Sequence, residues 1–335
     1  MQDRALHSNK AVSWEEELSE SYRSLEDLVN EGFLLPSEAM NLRQVAQDFK
    51  ILLPRYYASL IDKRNPKCPI RLQALPNALE QVTPEGFKED PLEDRAHKPA
   101  PRITHRYPGR VLLHLTQACS MYCRFCFRKT LLNDLAPELF SGDVAKSFEY
   151  ISSHHEIEEV IFSGGDPFLL KDSALRISLE RLSSFAHIKR VRFHTRVPVT
   201  FPSRVTESLA SVFTDSKLPI VVVTHFNHPK EITQQSQKAI ALLKRSCAAV
   251  LNQSVLLRNV NDDVEVLKPL MEQLFEIGVM PYYLHHPDRA AGTSHFDLPI
   301  ERGREIYHRL RSSLPGYLTP RYVLDEVGAP YKTSL

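Results

Sequence analysis

The sequence predicts an α/β fold built on a parallel sheet, and three observations carry that prediction. From residue 111 onward, apolar runs of strand length alternate with amphipathic stretches of helical spacing. Six strand–helix repeats follow one another, and such alternation implies a parallel sheet, since parallel strands need a long crossover between them. Finally, each group of chemically distinctive residues falls just after a strand-length run, and in parallel α/β folds sites lie beyond the C-terminal ends of the strands. The alternation alone fits a flat doubly wound sheet or a curved barrel.

The elements follow in order. Residues 1–60 read as helical: Trp14, Leu18, Tyr22, Leu25 and Leu28 recur at helical spacing among Glu and Ser. A further helix is expected from Ser37-Glu-Ala-Met, running through Phe49 and Leu52. Residues 62–105 are rich in Pro, Lys, Asp and Glu and show little periodicity, which predicts an extended connection wrapped over the following domain. No catalytic constellation is visible before residue 104. Strands are expected at 111–116, 158–162, 190–194, 219–223, 250–256 and 279–284. Helices are expected near 141–153, 172–184, 203–213, 229–245, 262–276 and 299–312.

Bulk properties bound the function. A chain of 335 residues makes one large domain or two smaller ones, and 42% hydrophobic residues suffice for a substantial core. Charges balance to +1, so nothing points to nucleic acid or an anionic membrane. No apolar run approaches the length that spans a bilayer. The start, Met-Gln-Asp-Arg-Ala-Leu-His, lacks the charged-then-apolar pattern of a signal peptide, which makes a reducing cytoplasm the expected compartment.

The most informative stretch is Cys119-Ser-Met-Tyr-Cys123-Arg-Phe-Cys126, which holds three of the five cysteines. Thiolates suit iron–sulfur clusters, zinc or copper. A structural zinc site normally closes with four ligands, and Cys68 and Cys247 are isolated, so no second pair is visible. Three thiolates can hold a [4Fe–4S] cluster with one iron left open. Inert clustering and a disulfide pair are the remaining alternatives.

This stretch resembles the cluster loop of radical S-adenosylmethionine (SAM) enzymes. With Thr104-His-Arg106-Tyr-Pro-Gly-Arg110 before it and Phe127-Arg128 after it, the chain resembles the lysine 2,3-aminomutase family from about residue 100 onward. It is nearest the bacterial branch that supplies (R)-β-lysine for modifying elongation factor P. The resemblance implies a partial (βα)6 barrel over 104–312, a helical N-terminal extension and wrapping linker over 1–103, and a C-terminal segment, 313–335, closing the barrel mouth.

The same resemblance distributes roles. Cys119, Cys123 and Cys126 would bind the cluster. Ser163-Gly164-Gly165-Asp166, by itself an ordinary strand-to-helix turn, matches the glycine-rich motif that holds the SAM amino group. Arg196 and His225 match SAM contacts, although lone strand-end residues of these types are often structural. A metal site from His225 and His228 has no matching ligand set. Asn252 and Gln253 on the fifth strand match residues facing pyridoxal 5′-phosphate (PLP). Arg106 and Arg110 match residues near its phosphate, a group that the planar guanidinium fork suits. Lys332 matches the lysine that anchors PLP; such a lysine needs a desolvated place, so the last residues are expected to fold back over the barrel mouth. Arg128 matches the partner of the substrate α-carboxylate. Asp288 and Asp325 match the acids that receive a distal ammonium, which argues against a glutamate-type substrate.

Two departures separate this chain from the longer catabolic lysine aminomutases. It stops three residues after Lys332, and Asp263 stands where that group has a zinc cysteine, so their zinc-linked dimer contact is expected to be absent. The implied activity is conversion of L-lysine to β-lysine, the R enantiomer by branch, with a flavodoxin- or ferredoxin-type electron donor and a separate elongation factor P ligase. Catabolic formation of (S)-β-lysine, a PLP-independent radical SAM reaction and a non-catalytic iron–sulfur protein are the alternatives.

Overall fold

The computed structural model describes residues 13–132 and 139–335, so the first part of the helical stretch expected over 1–60 lies outside the described residues. The described part of that stretch holds five short helices: α1 (Trp14–Ser19), α2 (Leu25–Asn30), α3 (Pro36–Asn41), α4 (Arg43–Asp48) and α5 (Arg55–Ser59). The apolar spacing from Trp14 to Leu28 is interrupted because Ser24 starts a new helix with a reciprocal cap to Asp27. Between α1 and α2, Tyr22 forms an isolated antiparallel bridge with Leu53. The helix expected from Ser37 through Leu52 breaks at Leu42 and ends before Phe49, whose backbone is extended. The connection over 62–105 is more structured than its composition suggests. It holds α6 (Pro69–Ala74) and a 3-10 turn, Ala78–Gln81.

Next come β1 (Ile103–Tyr107), β2 (Arg110–Thr116), α7 (Val144–Ser153), β3 (Glu159–Gly164), α8 (Asp172–Ser183) and β4 (Arg190–His194). After them stand α9 (Val197–Thr200), α10 (Glu207–Thr214), β5 (Ile220–Thr224), α11 (Gln234–Ser246) and β6 (Ala249–Val255). The chain ends with α12 (Val264–Glu276), β7 (Met280–His285), α13 (Ile300–Ser313), β8 (Arg321–Leu324) and β9 (Thr333–Ser334). All six expected strands and their helices are present. Two helices begin later than expected because Thr206 and Thr233 cap α10 and α11 after prolyl 3-10 turns. Asp263 has a structural task of its own, capping α12 through Glu265 N.

The nine strands of the described residues form one sheet whose spatial order follows the chain from β1 to β9. A doubly wound sheet reverses direction at a switch point; here no reversal occurs, so the twist accumulates one way and the sheet curls. Strands β2 to β8 are all parallel, while β1 and β9 pair antiparallel at the two ends. The two ends meet through side chains rather than strand pairing. Tyr107 Oη donates to Asp325 Oδ1 at 3.1 Å, and Arg106 Nη2 donates to Glu326 O at 3.2 Å. The result is a partial barrel. Residues 313–335 do more than cover its mouth: β8 is a seventh parallel strand, and β9 folds back on it, with Leu335 N donating to Tyr322 O at 3.0 Å.

The core lies between sheet and helices. Leu175, Leu179 and Leu182 of α8 and Leu267, Leu270, Met271 and Leu274 of α12 are buried on one helical face each. Phe162 and Phe193 stack on adjacent strands at 4.7 Å between ring centres. Full burial of each such side chain stabilises the fold by about 1.5–3 kcal/mol, which fixes the strand ends that carry the site.

Candidate active site

A cavity of about 530 Å³ opens at the C-terminal ends of the parallel strands. Its wall includes Cys119, Cys123 and Cys126, the turn Ser163–Asp166, Arg196, His225, Arg106, Arg110, Gln253, Arg128, Asp288, Asp325 and Lys332. Of the residues singled out in the sequence, Asn252 is the exception. Side chains alternate along β6, so Gln253 faces the cavity while Asn252 is buried on the opposite face. Its amide accepts from Phe226 N at 2.8 Å and donates to Phe226 O at 3.1 Å and Ser254 Oγ at 2.9 Å. Asn252 therefore braces β6 against the loop after β5 and does not line the cavity.

The glycine-rich turn packs on the root of the cysteine loop. A Cβ on Gly165 would lie 2.1 Å from Ala118 O, and Gly164 has φ +117° with Thr116 O 2.7 Å from its would-be Cβ. Only glycine permits this approach, which is closed by Gly165 N to Thr116 O at 2.9 Å and Asp166 N to Ala118 O at 2.7 Å. The Asp166 carboxylate is spent within the protein. It accepts from Thr195 Oγ1 and Arg196 N at 2.7 Å each, from Phe168 N at 3.1 Å and from Val197 N at 3.2 Å. Its side chain ties the turn after β3 to the turn after β4, which leaves Ser163 Oγ and the glycine backbone as the parts of this motif open to a ligand.

The cysteine loop is clamped from the N-terminal segment, where the sequence showed no chemistry. Glu80, fully buried, pairs with Arg124 (Nε to Oε1, 2.9 Å) and with Lys129 (2.7 Å). Gln73 O accepts from Arg124 N at 3.0 Å. Arg128 Nε donates to the buried Asp94 at 2.7 Å, and Arg128 Nη1 lies 3.5 Å from Ser163 Oγ, towards the cavity. Burial works against the Arg128 charge, but Asp94 outweighs it and holds the guanidinium above its ordinary range. These acids left no trace in the sequence because each is a single carboxylate in a charge-rich connection. Glu159 and Arg192 were equally missed, although they had a signal: both are charged residues at inward positions of strands. They form a two-pronged pair at 2.9 and 2.8 Å in the cavity wall.

At the opposite wall, Lys332 Nζ contacts Asp325 Oδ2, while Asp325 Oδ1 accepts from Tyr107 Oη and lies 3.2 Å from Arg106 Nη2. Burial raises the Asp325 carboxyl, but Lys332 and Arg106 prevail and hold it below its ordinary value. Asp288 goes the other way: burial and the charge of Asp325 push it up to about 7, against Lys332, Arg128 and Arg106. Burial keeps His194 and His225 well below their ordinary range and His285 down to about 3, so all three are neutral imidazoles. His225 Nε2 pairs with Asn227 Oδ1 at 3.1 Å, and His228 Nδ1 accepts from Lys230 N at 3.1 Å. Neither is poised as part of a metal site.

The residues present fit the groups that such a site implies. All five cysteines are free thiols. Burial pushes Cys119 well above its ordinary range and Cys126 up to about 11, so binding metal there would release protons. Among the described residues, no three His, Cys, Asp or Glu side chains converge on a single ion. A cluster instead takes its thiolates on different irons. For PLP, Lys332, Arg106 and Arg110 share the cavity wall, and His194 on the same wall has a buried Nε2 with no hydrogen-bond partner.

A parallel barrel of this order with a three-cysteine loop at its mouth is the architecture of radical SAM enzymes, and residues 113–268 match the Radical SAM superfamily. That class works with SAM and a [4Fe–4S] cluster. An L-lysine 2,3-aminomutase of Haemophilus influenzae is 41% identical, with 85% of this chain and 84% of that protein covered. L-lysine 2,3-aminomutases of Escherichia coli and Acetoanaerobium sticklandii are 39% and 37% identical, over 88% and 96% of this chain and 85% and 77% of theirs. The chain belongs to the L-lysine 2,3-aminomutase family of radical SAM isomerases. A solved radical SAM methyltransferase from Sphaerobacter thermophilus overlaps it with TM-score 0.45 at 17% identity, covering 66% of this chain and 68% of that one. No described helix is long and apolar enough to cross a membrane.

Proposed function

We propose that this protein is a PLP-dependent L-lysine 2,3-aminomutase that makes (R)-β-lysine, in the cytoplasm, for attachment to elongation factor P by a separate ligase. A flavodoxin- or ferredoxin-type protein supplies its electrons. The observation that carries the reading is one cavity in which three thiols, Arg128, Asp288, Asp325 and Lys332 meet. When bound, the cluster and SAM supply the hydrogen-abstracting radical, and PLP supplies the carrier on which the amino group migrates.

The chain's own residues bind, orient and exclude water. Cys119, Cys123 and Cys126 hold the cluster, and Ser163 with the Gly164–Gly165 backbone faces SAM. Arg128, oriented by Asp94, presents its Nη groups to the α-carboxylate. Asp288 and Asp325 receive the distal ammonium, and the span from Arg128 to these acids selects a dibasic amino acid. Lys332 anchors PLP, with Arg106, Arg110 and Gln253 around it. Lys332 would also take part in product release, since its contact with Asp325 holds its Nζ beside the substrate end of the cavity. Burial of the cavity walls keeps the reacting groups from water.

The test is an anaerobic incubation of cluster-reconstituted protein with PLP, SAM, a reductant and L-lysine, read by chiral chromatography with mass detection. (R)-β-Lysine is the expected product. (S)-β-Lysine would remove the link to elongation factor P. Formation of 5′-deoxyadenosine without β-lysine would show that the substrate is wrong.

A further inference from the structure

Arg196 has a second role besides facing the cavity, and it is visible in where its donors go. Nη1 donates to Cys123 Sγ at 2.8 Å. Nη2 donates to Glu231 Oε1 and Gln73 Oε1 at 2.7 Å each and to Tyr57 Oη at 3.2 Å; Nε donates to His225 O at 3.2 Å. The guanidinium is buried, and so are the Glu231, Gln73 and Tyr57 side chains that hold it, while Cys123 is partly exposed. Glu231 is fixed in turn. Its Oε1 accepts from Tyr57 Oη at 2.5 Å, and its Oε2 accepts from Asn227 N at 2.6 Å and His228 N at 3.0 Å. Gln73 Oε1 also accepts from Asn227 Nδ2 at 3.0 Å. The arginine cannot swing away without stranding several buried groups.

We propose that Arg196 sets the reduction potential of the cluster through its hydrogen bond to Cys123 Sγ, and that Glu231 and Tyr57 set how much positive charge Arg196 delivers there. The inference rests on the reading of Cys119, Cys123 and Cys126 as cluster ligands. One-electron reduction makes the cluster more negative, and a cationic N–H donor on a ligand sulfur favours that state, which raises the potential. The Glu231 carboxylate, 2.7 Å from the same guanidinium, offsets the cation, and Tyr57 draws part of that negative charge into its own hydrogen bond. Tyr57 and Gln73 lie on α5 and α6, so the N-terminal segment belongs to the redox environment of the barrel. Arg196 and Glu231 act through Cys123 and are positioning residues in this respect.

The test is an anaerobic redox titration of the reconstituted cluster without SAM, followed by its electron paramagnetic resonance signal, in wild type, Arg196→Lys, Arg196→Gln and Glu231→Gln. Iron and sulfide content is measured on each. Arg196→Gln should make reduction at least tenfold less favourable, equivalent to 59 mV downward for one electron. Glu231→Gln should shift it upward, and Arg196→Lys should stay near wild type. Opposite signs are the diagnostic, because a merely structural disturbance has no reason to move the two variants apart. If Arg196→Gln loses the cluster, the upward shift in Glu231→Gln still supports the proposal, and an unchanged or lower potential there overturns it. Variants that hold the cluster and share the wild-type potential overturn this inference and leave the cluster reading intact. A wild-type protein that takes up no iron and sulfide overturns both.

Discussion

The two acids proposed to receive the distal ammonium differ in protonation, and this gives the site a pH dependence that can be measured without turnover. Asp325 is held ionised by Lys332 and Arg106. Asp288 rises from an ordinary 3.8 to about 7, chiefly through burial and then through Asp325. An ammonium ligand is attracted only by the ionised form. At pH 6, one unit below that midpoint, about one molecule in eleven carries the charge; at pH 8 about ten in eleven do. Affinity for a ligand spanning Arg128 and Asp288 should therefore fall about tenfold from pH 8 to pH 6, or ~1.4 kcal/mol.

The suitable probe is 6-aminohexanoate, which has the carboxylate and distal ammonium of lysine but no α-amine to titrate or to react with PLP. Calorimetry in buffers of different ionisation heat should detect nearly one proton released per ligand bound at pH 6 and almost none at pH 8. Asp288→Asn should weaken binding at pH 8 and flatten the profile. A flat wild-type profile, or a variant that keeps the full slope, would refute the reasoning. Linkage adds a second check. Because the folded value lies above the unfolded one, the stabilising contribution of this carboxyl is complete below about pH 4 and is lost as pH rises through about 7. The variant should lack that decline in thermal stability.

Other outcomes follow from the same geometry. Glu80→Gln strands Arg124 and Lys129 in a buried site and should destabilise the protein by about 3–5 kcal/mol in chemical denaturation; a loss under about 1 kcal/mol would contradict the clamp. Asp94→Asn should raise KM for L-lysine roughly tenfold, with a smaller effect on kcat, since Arg128 keeps its charge but loses its orienting partner; a fall in kcat alone would count against it. Asn252→Ala should cost about 1–3 kcal/mol of stability by leaving Phe226 N–H without its acceptor, while absorbance titration finds PLP affinity unchanged. Weaker PLP binding there would restore Asn252 to the cofactor site.

Much of the barrel was legible because its signals are local and repeated. Alternating apolar runs located β2 to β7, and the cysteine spacing located the mouth. The missed strands lack such signals: β1 is five residues long, β8 four and β9 two, and each exists because an adjacent sheet edge offers partners. Asn252 shows a different limit. Reading Asn252 and Gln253 as a pair ignored the two-residue period of a strand, which sends neighbours to opposite faces. Asp166 lies in the cavity wall, but its sequence context did not reveal that four donors from the turns after β3 and β4 already occupy its carboxylate. The helical stretch from Trp14 to Leu28 failed for a local reason, since the capping Ser24 starts a new helix within an unbroken apolar spacing.

The least legible part of the chain is also the part that explains the cysteine loop. Three cations, Arg124, Arg128 and Lys129, stand in or beside that loop, and Arg196 reaches it from the turn after β4. All four side chains are at least nine-tenths buried. A buried charge left unpaired costs several kcal/mol, so four of them would make this loop conformation untenable. Each has a buried carboxylate: Glu80 for Arg124 and Lys129, Asp94 for Arg128, and Glu231 for Arg196. Two of those three acids precede residue 104. The barrel therefore does not contain the counter-charges its own loop needs, and docking of the N-terminal segment and ordering of the loop are one event. The arginines could stay there because they are useful at the mouth, where Arg128 meets the cavity and Arg196 meets Cys123 Sγ. A segment that reads as a wrapping linker is thus the electrostatic other half of the site.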